Sequence, residues 1–288
     1  MDLVIYGAIN SAMLALMAIG FALVYGISRV PNFAHGALYV FASGMIWILL
    51  YRAGLNYVIS IFISLMITTI IGVLIYRLVI IRVRGMPFSE IIASFALGMA
   101  ILEAFRLFGF RGPQFSLPKF AEGVVNIFGV PVDYQRLFLV GVGVALVVFL
   151  FLFTHYTKIG LGLSAIAQDE AAAQMLGIDS DRAAAIALAI GSASVGVAAV
   201  VIVPLGTISV EAGYEVLIFA LAVCVVGGLG SWVGAVVASF VIGYAQVLTV
   251  RFLAPHFQLV VAMLAIILIL IFWPSGFFGS QKELEERV

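Results

Sequence analysis

The run Ser192-Ala193-Ser194-Val195-Gly196 is where this sequence comes nearest to a nucleophile elbow of the GxSxG type. The first glycine is missing, and small residues in an apolar helix ordinarily serve close packing, so packing is the expected role. The three lysines, Lys119, Lys158 and Lys282, stand in no GxxxxGK[ST] context, so the chain has no phosphate-cradling loop and cannot hydrolyse ATP alone. HExxH is absent, and three scattered histidines with a single cysteine, Cys224, offer neither a metal cluster nor an internal disulfide. Glu103 is the most deeply placed carboxylate, and Arg106 one helical turn later is positioned to neutralise it. Asp133, Asp169, Glu170, Asp179, Asp181 and Glu211 fall in loops or near the ends of apolar runs. Deep ionisable groups for a driving proton or sodium ion are therefore not expected. The residue types predict no catalytic group, no metal and no cofactor bound by this chain.

Three stretches stand out instead. In Ser28-Arg29-Val30-Pro31-Asn32-Phe33-Ala34-His35-Gly36 a proline and three residues costly at membrane depth interrupt two apolar runs. Asn32, His35 and Gly36 either line a transport pathway or form a plain turn in which Asn32 caps the next helix. Between Thr157 and Arg182, Ala165 to Leu176 has strong helix propensity and Gly177 is a natural stop. Ile166, Ala173 and Leu176 recur at helical spacing opposite Gln168, Asp169 and Glu170. A short amphipathic helix of this kind suits a partner's groove, and the lack of a basic face argues against a helix lying on the membrane. Gly227, Gly228 and Gly230 join two apolar runs with almost no loop, as packing or hinge residues.

The elements that must position these residues are membrane helices. Of 288 residues, 65% are hydrophobic and 10% charged, with mean hydropathy +1.26, and an aqueous exterior cannot be built from so little charge. Lys+Arg and Asp+Glu balance at 14 each, which leaves no field to attract nucleic acid. Continuous apolar runs of about 20 residues predict an all-α polytopic bundle. Nine candidate spans lie at 3–27, 34–51, 57–80, 90–109, 134–155, 183–203, 213–228, 231–250 and 257–273, which gives about eight to nine with broken or re-entrant helices, 213–250 being two spans or a re-entrant pair. Residues 1–288 form one transmembrane domain. The opening run is too long and lacks the basic start of a secretory signal. Arg77, Arg82 and Arg84 place their connection in the cytoplasm. Alternation then puts the segment 156–182 and the tail Gln281–Val288 inside, the N-terminus outside, and 110–132 in an external loop.

Taken in order, Ala18-Ile19-Gly20 with Tyr25-Gly26-Ile27, Asn32-Phe33-Ala34-His35-Gly36, Ala167 with Asp169, Leu176-Gly177-Ile178-Asp179, Gly227-Gly228-Leu229-Gly230-Ser231 with Gly234-Ala235, and Pro274-Ser275-Gly276 with Gly279 carry a resemblance along nearly the whole chain. The sequence resembles the membrane permeases of branched-chain amino-acid ABC importers, of the LivH type more than the LivM type. That resemblance implies a multi-pass subunit of a bacterial or archaeal inner membrane. Its partners would be a second permease, LivM-like or another copy, two cytoplasmic ABC ATPases that bind ATP and Mg, and an extracytoplasmic substrate-binding protein. The expected cargo is leucine, isoleucine or valine. The same machinery carrying urea, an amide or another amino acid is the nearest alternative, and a stand-alone channel or facilitator a more distant one. The resemblance also implies that 160–178 is the coupling helix, with Asp169, Glu170, Leu176 and Gly177 facing the ATPase. Glu170-Ala171-Ala172 before Gly177 is similar to the EAA signature of ABC permeases. Four residues separate its last alanine from the glycine where the pattern has three, so its contacts are not carried over.

Overall fold

The structure, a computed structural model, describes residues 1–107 and 115–279. The tail expected inside, Gln281–Val288, and part of the expected loop 110–132 lie outside the described residues. Helices α1 (Asp2–Ser28), α2 (His35–Trp47), α3 (Tyr57–Ile75), α4 (Ile81–Val83) and α5 (Pro87–Leu107) form the first half. After a hairpin of β1 (Val124–Ile127) and β2 (Val130–Asp133) come α6 (Tyr134–Tyr156), α7 (Lys158–Gln168), α8 (Glu170–Met175), α9 (Ser180–Ile202), α10 (Glu211–Gly227), α11 (Trp232–Phe252) and α12 (Gln258–Phe272). A π-helical turn, Tyr76–Ile80, joins α3 to α4, and another, Ile48–Arg52, extends α2.

Among the described residues, seven helices are long and apolar enough to cross a membrane: α1, α3 with α4, α5, α6, α9, α11 and α12 with its preceding turn. The remaining two of the nine candidate spans are shorter. The run 34–51 becomes α2 with 13 residues plus its π turn, and 213–228 becomes α10 with 17.

The bundle is built around α1, which packs against α6, α9, α10 and α11. Its side chains are apolar or small on every face, and nearly all from Leu14 to Ile27 are buried, as a helix surrounded by others requires. The outer helices reverse the pattern of a soluble helix. On α3, Ser60, Ser64, Thr68 and Gly72 recur every fourth residue on the buried face, while Phe62, Met66, Ile70 and Leu74 point outward. Small residues let backbones approach closely where lipid gives no hydrophobic drive for association. Ser64 Oγ accordingly donates to the Ala42 carbonyl at 2.8 Å, stitching α3 to α2. On α5 the inward row is Glu90, Ser94, Gly98, Leu102 and Phe105.

The 110–132 region, expected to be a loop, ends in structure. Val125 pairs with Val132 and Ile127 with Val130 around a two-residue turn at Phe128 and Gly129. Both turn residues have positive φ, 50° and 83°, the geometry that matches the twist of a tight hairpin. Val130 and Val132 are buried against Ile9, so the hairpin closes the end of the bundle where α1 begins.

Candidate functional site

The end of the bundle where α1 finishes gathers most of the residues singled out from sequence. Arg29 takes the left-handed conformation (φ 58°) at the α1 C-terminus, and its Nη2 donates to the Ala167 carbonyl in α7 at 2.6 Å. The single helix expected from Ala165 to Leu176 is broken at Asp169. Its carboxylate accepts from the Ala172 amide at 2.9 Å and so caps α8, with Asp169 itself extended (φ −153°). Asp is a better cap than helix-interior residue, so local capping overrides propensity here. Gly177 (φ 84°) then closes α8. The Ile178 amide donates to Ala173 and the Gly177 amide to Gln174, the paired bonds of a Schellman stop.

Ile166 and Ala173 pack into the bundle, as their spacing predicts, but Leu176 does not join them. Leu176 and Met175 are 81% and 88% exposed and form an apolar tip pointing away from the bundle.

Glu170 is not free either. Its Oε1 receives Arg84 Nη2 at 2.7 Å and Gln174 Nε2 at 3.1 Å. The other arm of Arg84 pairs with Asp181, which opens α9, and Asp181 also accepts from the Tyr76 hydroxyl at 2.9 Å. Burial opposes the Arg84 charge, yet Tyr76, Asp181 and Glu170 outweigh it and hold its pKa above the ordinary guanidinium value. One guanidinium thereby ties α8, α9 and the end of α3 into a single joint. Sequence reasoning used Arg84 only to orient the chain. Its partners lie 86 and 97 residues away, beyond the reach of any local pattern.

The second stretch, at Asn32–Gly36, lies deep in the bundle. The His35 Nε2 atom is 2.9 Å from the Met17 carbonyl and donates to it; Met17 is close to the middle of α1. Ala34 packs against Gly98, close to the middle of α5. Thus the chain climbs back from Arg29 and α2 begins at mid-depth. Asn32 Oδ1 accepts from the Ala34 amide at 3.1 Å, a turn ahead of α2 and not the expected cap, since Ala34 is the capping residue and no side chain bonds the first helical amides. Ser94 Oγ accepts from the Phe33 amide at 3.2 Å. His35 is buried edge-on to Phe21.

Gly36 meets the backbone of Gly213 so closely that any Cβ there would collide with its carbonyl. The first turn of α10 therefore meets the first turn of α2. From that contact α2 runs toward Phe105 at one end and α10 toward Gly230 at the other, so two helix N-termini converge mid-bundle. The crevice beside them, lined by Phe33, Phe95, Met99 and Tyr214, holds only about 10 Å³.

The glycines form a third contact. Gly227 packs backbone to backbone on Gly234, and Gly228 (φ 99°) on Gly279. The Phe277 and Phe278 amides donate to the Val226 and Gly227 carbonyls, each at 3.0 Å, so the segment after α12 caps the end of α10. Two sequence words about 50 residues apart thus meet in space. Elsewhere, Ser194 Oγ donates to the Ile190 carbonyl of its own helix at 2.8 Å. Arg106 neutralises Glu103 at 3.1 Å, as expected, and also reaches Glu211 at 3.0 Å.

A central helix walled by outward-apolar helices, two shorter helices meeting inside, and a tethered amphipathic segment at one end define a multi-pass membrane bundle. A family described as "Branched-chain amino acid transport system / permease component" matches residues 3–271, and the chain belongs to it. It is 30% identical over 283 residues to the high-affinity branched-chain amino acid transport system permease protein BraD of Pseudomonas aeruginosa, covering 93% of this chain and 92% of that one. It is 29% identical to the LivH permease proteins of Salmonella typhimurium and Escherichia coli K12, over 282 and 283 residues, with the same 93% and 92% coverage. Among solved structures, PsaBC from Streptococcus pneumoniae in complex with a Fab shares the fold. Its TM-score is 0.53 at 12% identity, over 100% of this chain and 96% of that one.

Proposed function

We propose that this chain is the membrane-spanning permease subunit of an ATP-driven importer in a bacterial or archaeal cytoplasmic membrane. It carries leucine, isoleucine and valine handed over by an extracytoplasmic binding protein. A second permease chain, LivM-like or another copy, completes the pathway, and two cytoplasmic ATPase subunits supply ATP and Mg chemistry. The Arg84 end of the bundle faces the cytoplasm, with the N-terminus outside and the C-terminus inside. The observation that carries this reading is the tip at Met175 and Leu176, exposed on a segment tied to the bundle through Arg29 and Arg84. An apolar tip in water calls for a partner, and rigid ties let movement of that partner reach the spans.

The pathway element is the pair of helix N-termini at Gly36 and Gly213. Their positive ends favour a carboxylate passing at mid-depth, and Asn32 and His35 hold the α2 terminus in place. The narrow crevice beside them widens when the partner drives the second packing of the bundle. Gly227, Gly228 and Gly230 let α10 and α11 shift against each other. The test is uptake into proteoliposomes holding the assembled importer. ATP- and binding-protein-dependent accumulation of leucine, isoleucine or valine is expected. Uptake by this chain alone, down a gradient and without ATP, would overturn the reading.

A further inference from the structure

A cavity of about 520 Å³ opens between α1, α6 and α11, at the end of the bundle opposite the lever formed by α7 and α8. That size is ordinary for a small-molecule site. Its floor is apolar, with Ile9, Met13 and Leu139, and its rim carries Asp2, Arg136 and Arg251. Asp2 opens α1, Arg136 lies in the first turn of α6 and Arg251 in the last turn of α11. All three therefore stand at a helix end, the depth of lipid headgroups.

The cavity faces the bilayer flank. Helices α6 and α11 touch through Phe151 and Trp232, with ring centroids 6.2 Å apart at the lever end, and part toward the other end. Their outer faces show Val144, Phe149, Phe240 and Val241 to the surroundings. The rim charges are unspent. Among the described residues no ion pair involves Asp2, Arg136 or Arg251. Arg136 is held in place, its guanidinium carbon 5.2 Å from the centroid of the Tyr6 ring, whose hydroxyl donates to the Pro131 carbonyl at 2.7 Å.

We infer that this cavity holds a phospholipid whose headgroup carries both a phosphate and a primary ammonium, with Arg136 and Arg251 on the phosphate and Asp2 on the ammonium. Two guanidiniums at headgroup depth select a phosphate, since charge-assisted pairs with phosphate are strong and directional. A carboxylate on the same rim repels a purely anionic headgroup and donates nothing to it. It does accept hydrogen bonds from an –NH₃⁺ group, which a quaternary trimethylammonium cannot offer. The apolar floor takes the start of an acyl chain. This proposal does not depend on the transport reading.

Native mass spectrometry of the purified full chain, released from vesicles with equal phosphatidylethanolamine, phosphatidylglycerol and phosphatidylcholine, tests it. Retention of phosphatidylethanolamine over each of the others by about tenfold is expected, the worth of one charge-assisted hydrogen bond. R136Q and R251Q should each lower retention of all three lipids with unchanged melting temperature, R251K should keep it, and D2N should lose the preference and retain phosphatidylglycerol as well. Equal retention of the three lipids by the unsubstituted chain would mean ordinary annular lipid and overturn the proposal. So would unchanged lipid retention in both arginine variants, a preference that survives in D2N, or displacement of the lipid by millimolar leucine, which would make the cavity a site for free amino acid.

Discussion

Removing Arg84 should loosen the lever without unfolding the bundle. Its guanidinium holds Glu170 at 2.7 Å, with side chains 27% and 44% exposed, and also holds Asp181. Partly exposed pairs are screened, so each contributes about 0.5–1 kcal/mol. Only the Glu170 pair reaches α8, so its loss is about a 2- to 5-fold shift between docked and released positions of α8. In the assembled importer R84Q is expected to lower leucine taken up per ATP hydrolysed by that order, while ATPase activity and assembly persist. E170Q should lose about as much, because Glu170 is the α8 end of that pair. The double variant R84Q/E170Q should be no worse than R84Q, since the paired residues share one interaction and their losses do not add. The assay is simultaneous measurement of phosphate release and radiolabelled uptake in proteoliposomes. Unchanged uptake per ATP in R84Q, or full additivity in the double variant, would refute the joint.

Leu176→Asp changes a side chain that is 81% exposed, so melting temperature should hold while co-purification of the ATPase is lost; equal recovery of the ATPase would exclude the tip as its seat. His35→Ala removes a buried ring and its added hydrogen bond to the Met17 carbonyl, a cost of about 2–4 kcal/mol, read as a lower unfolding midpoint in detergent. The Asp133 pKa is lowered, first by the Lys119 side chain at 2.5 Å and then by the Gln135 amide. Its contribution is therefore complete above the ordinary carboxylate pKa of about 3.9 and disappears as pH falls through the lower folded value. Thermal unfolding followed from neutral pH down to acid should show this loss, and Asp133→Asn should show none of that pH dependence.

The helices were legible because apolar runs of about 20 residues have few other uses. Length alone could not show that α2 starts beside the middle of α1. That placement depends on His35 meeting Met17 and Gly36 meeting Gly213, contacts between distant segments. The lever region was recognised by its composition and by family words, and Asp169, expected to face the ATPase, also caps α8. Glu170, expected to face the same partner, pairs with Arg84 and keeps 44% of its side chain exposed. Leu176, expected to share a face with Ile166 and Ala173, is turned outward because it lies past the last residue of α8, at the cap before Gly177. The hairpin at Val124–Asp133 escaped notice because its strands are four residues long and its turn, Phe128-Gly129, is an uncommon one.

The meeting of Gly36 with Gly213 sets an order for biogenesis. During synthesis α2 emerges early, yet the backbone it rests on is made 177 residues later, 213 less 36. Until α10 arrives, the first turn of α2 lacks the Gly213 backbone it packs on, although α1, α3, α5 and α9 are already made. Membrane insertion of this protein therefore cannot proceed helix by helix to a finished form. The second helix is a guest that takes its seat only after the tenth has entered, and a nascent chain halted before residue 213 should leave it accessible to thiol reagents at an introduced cysteine.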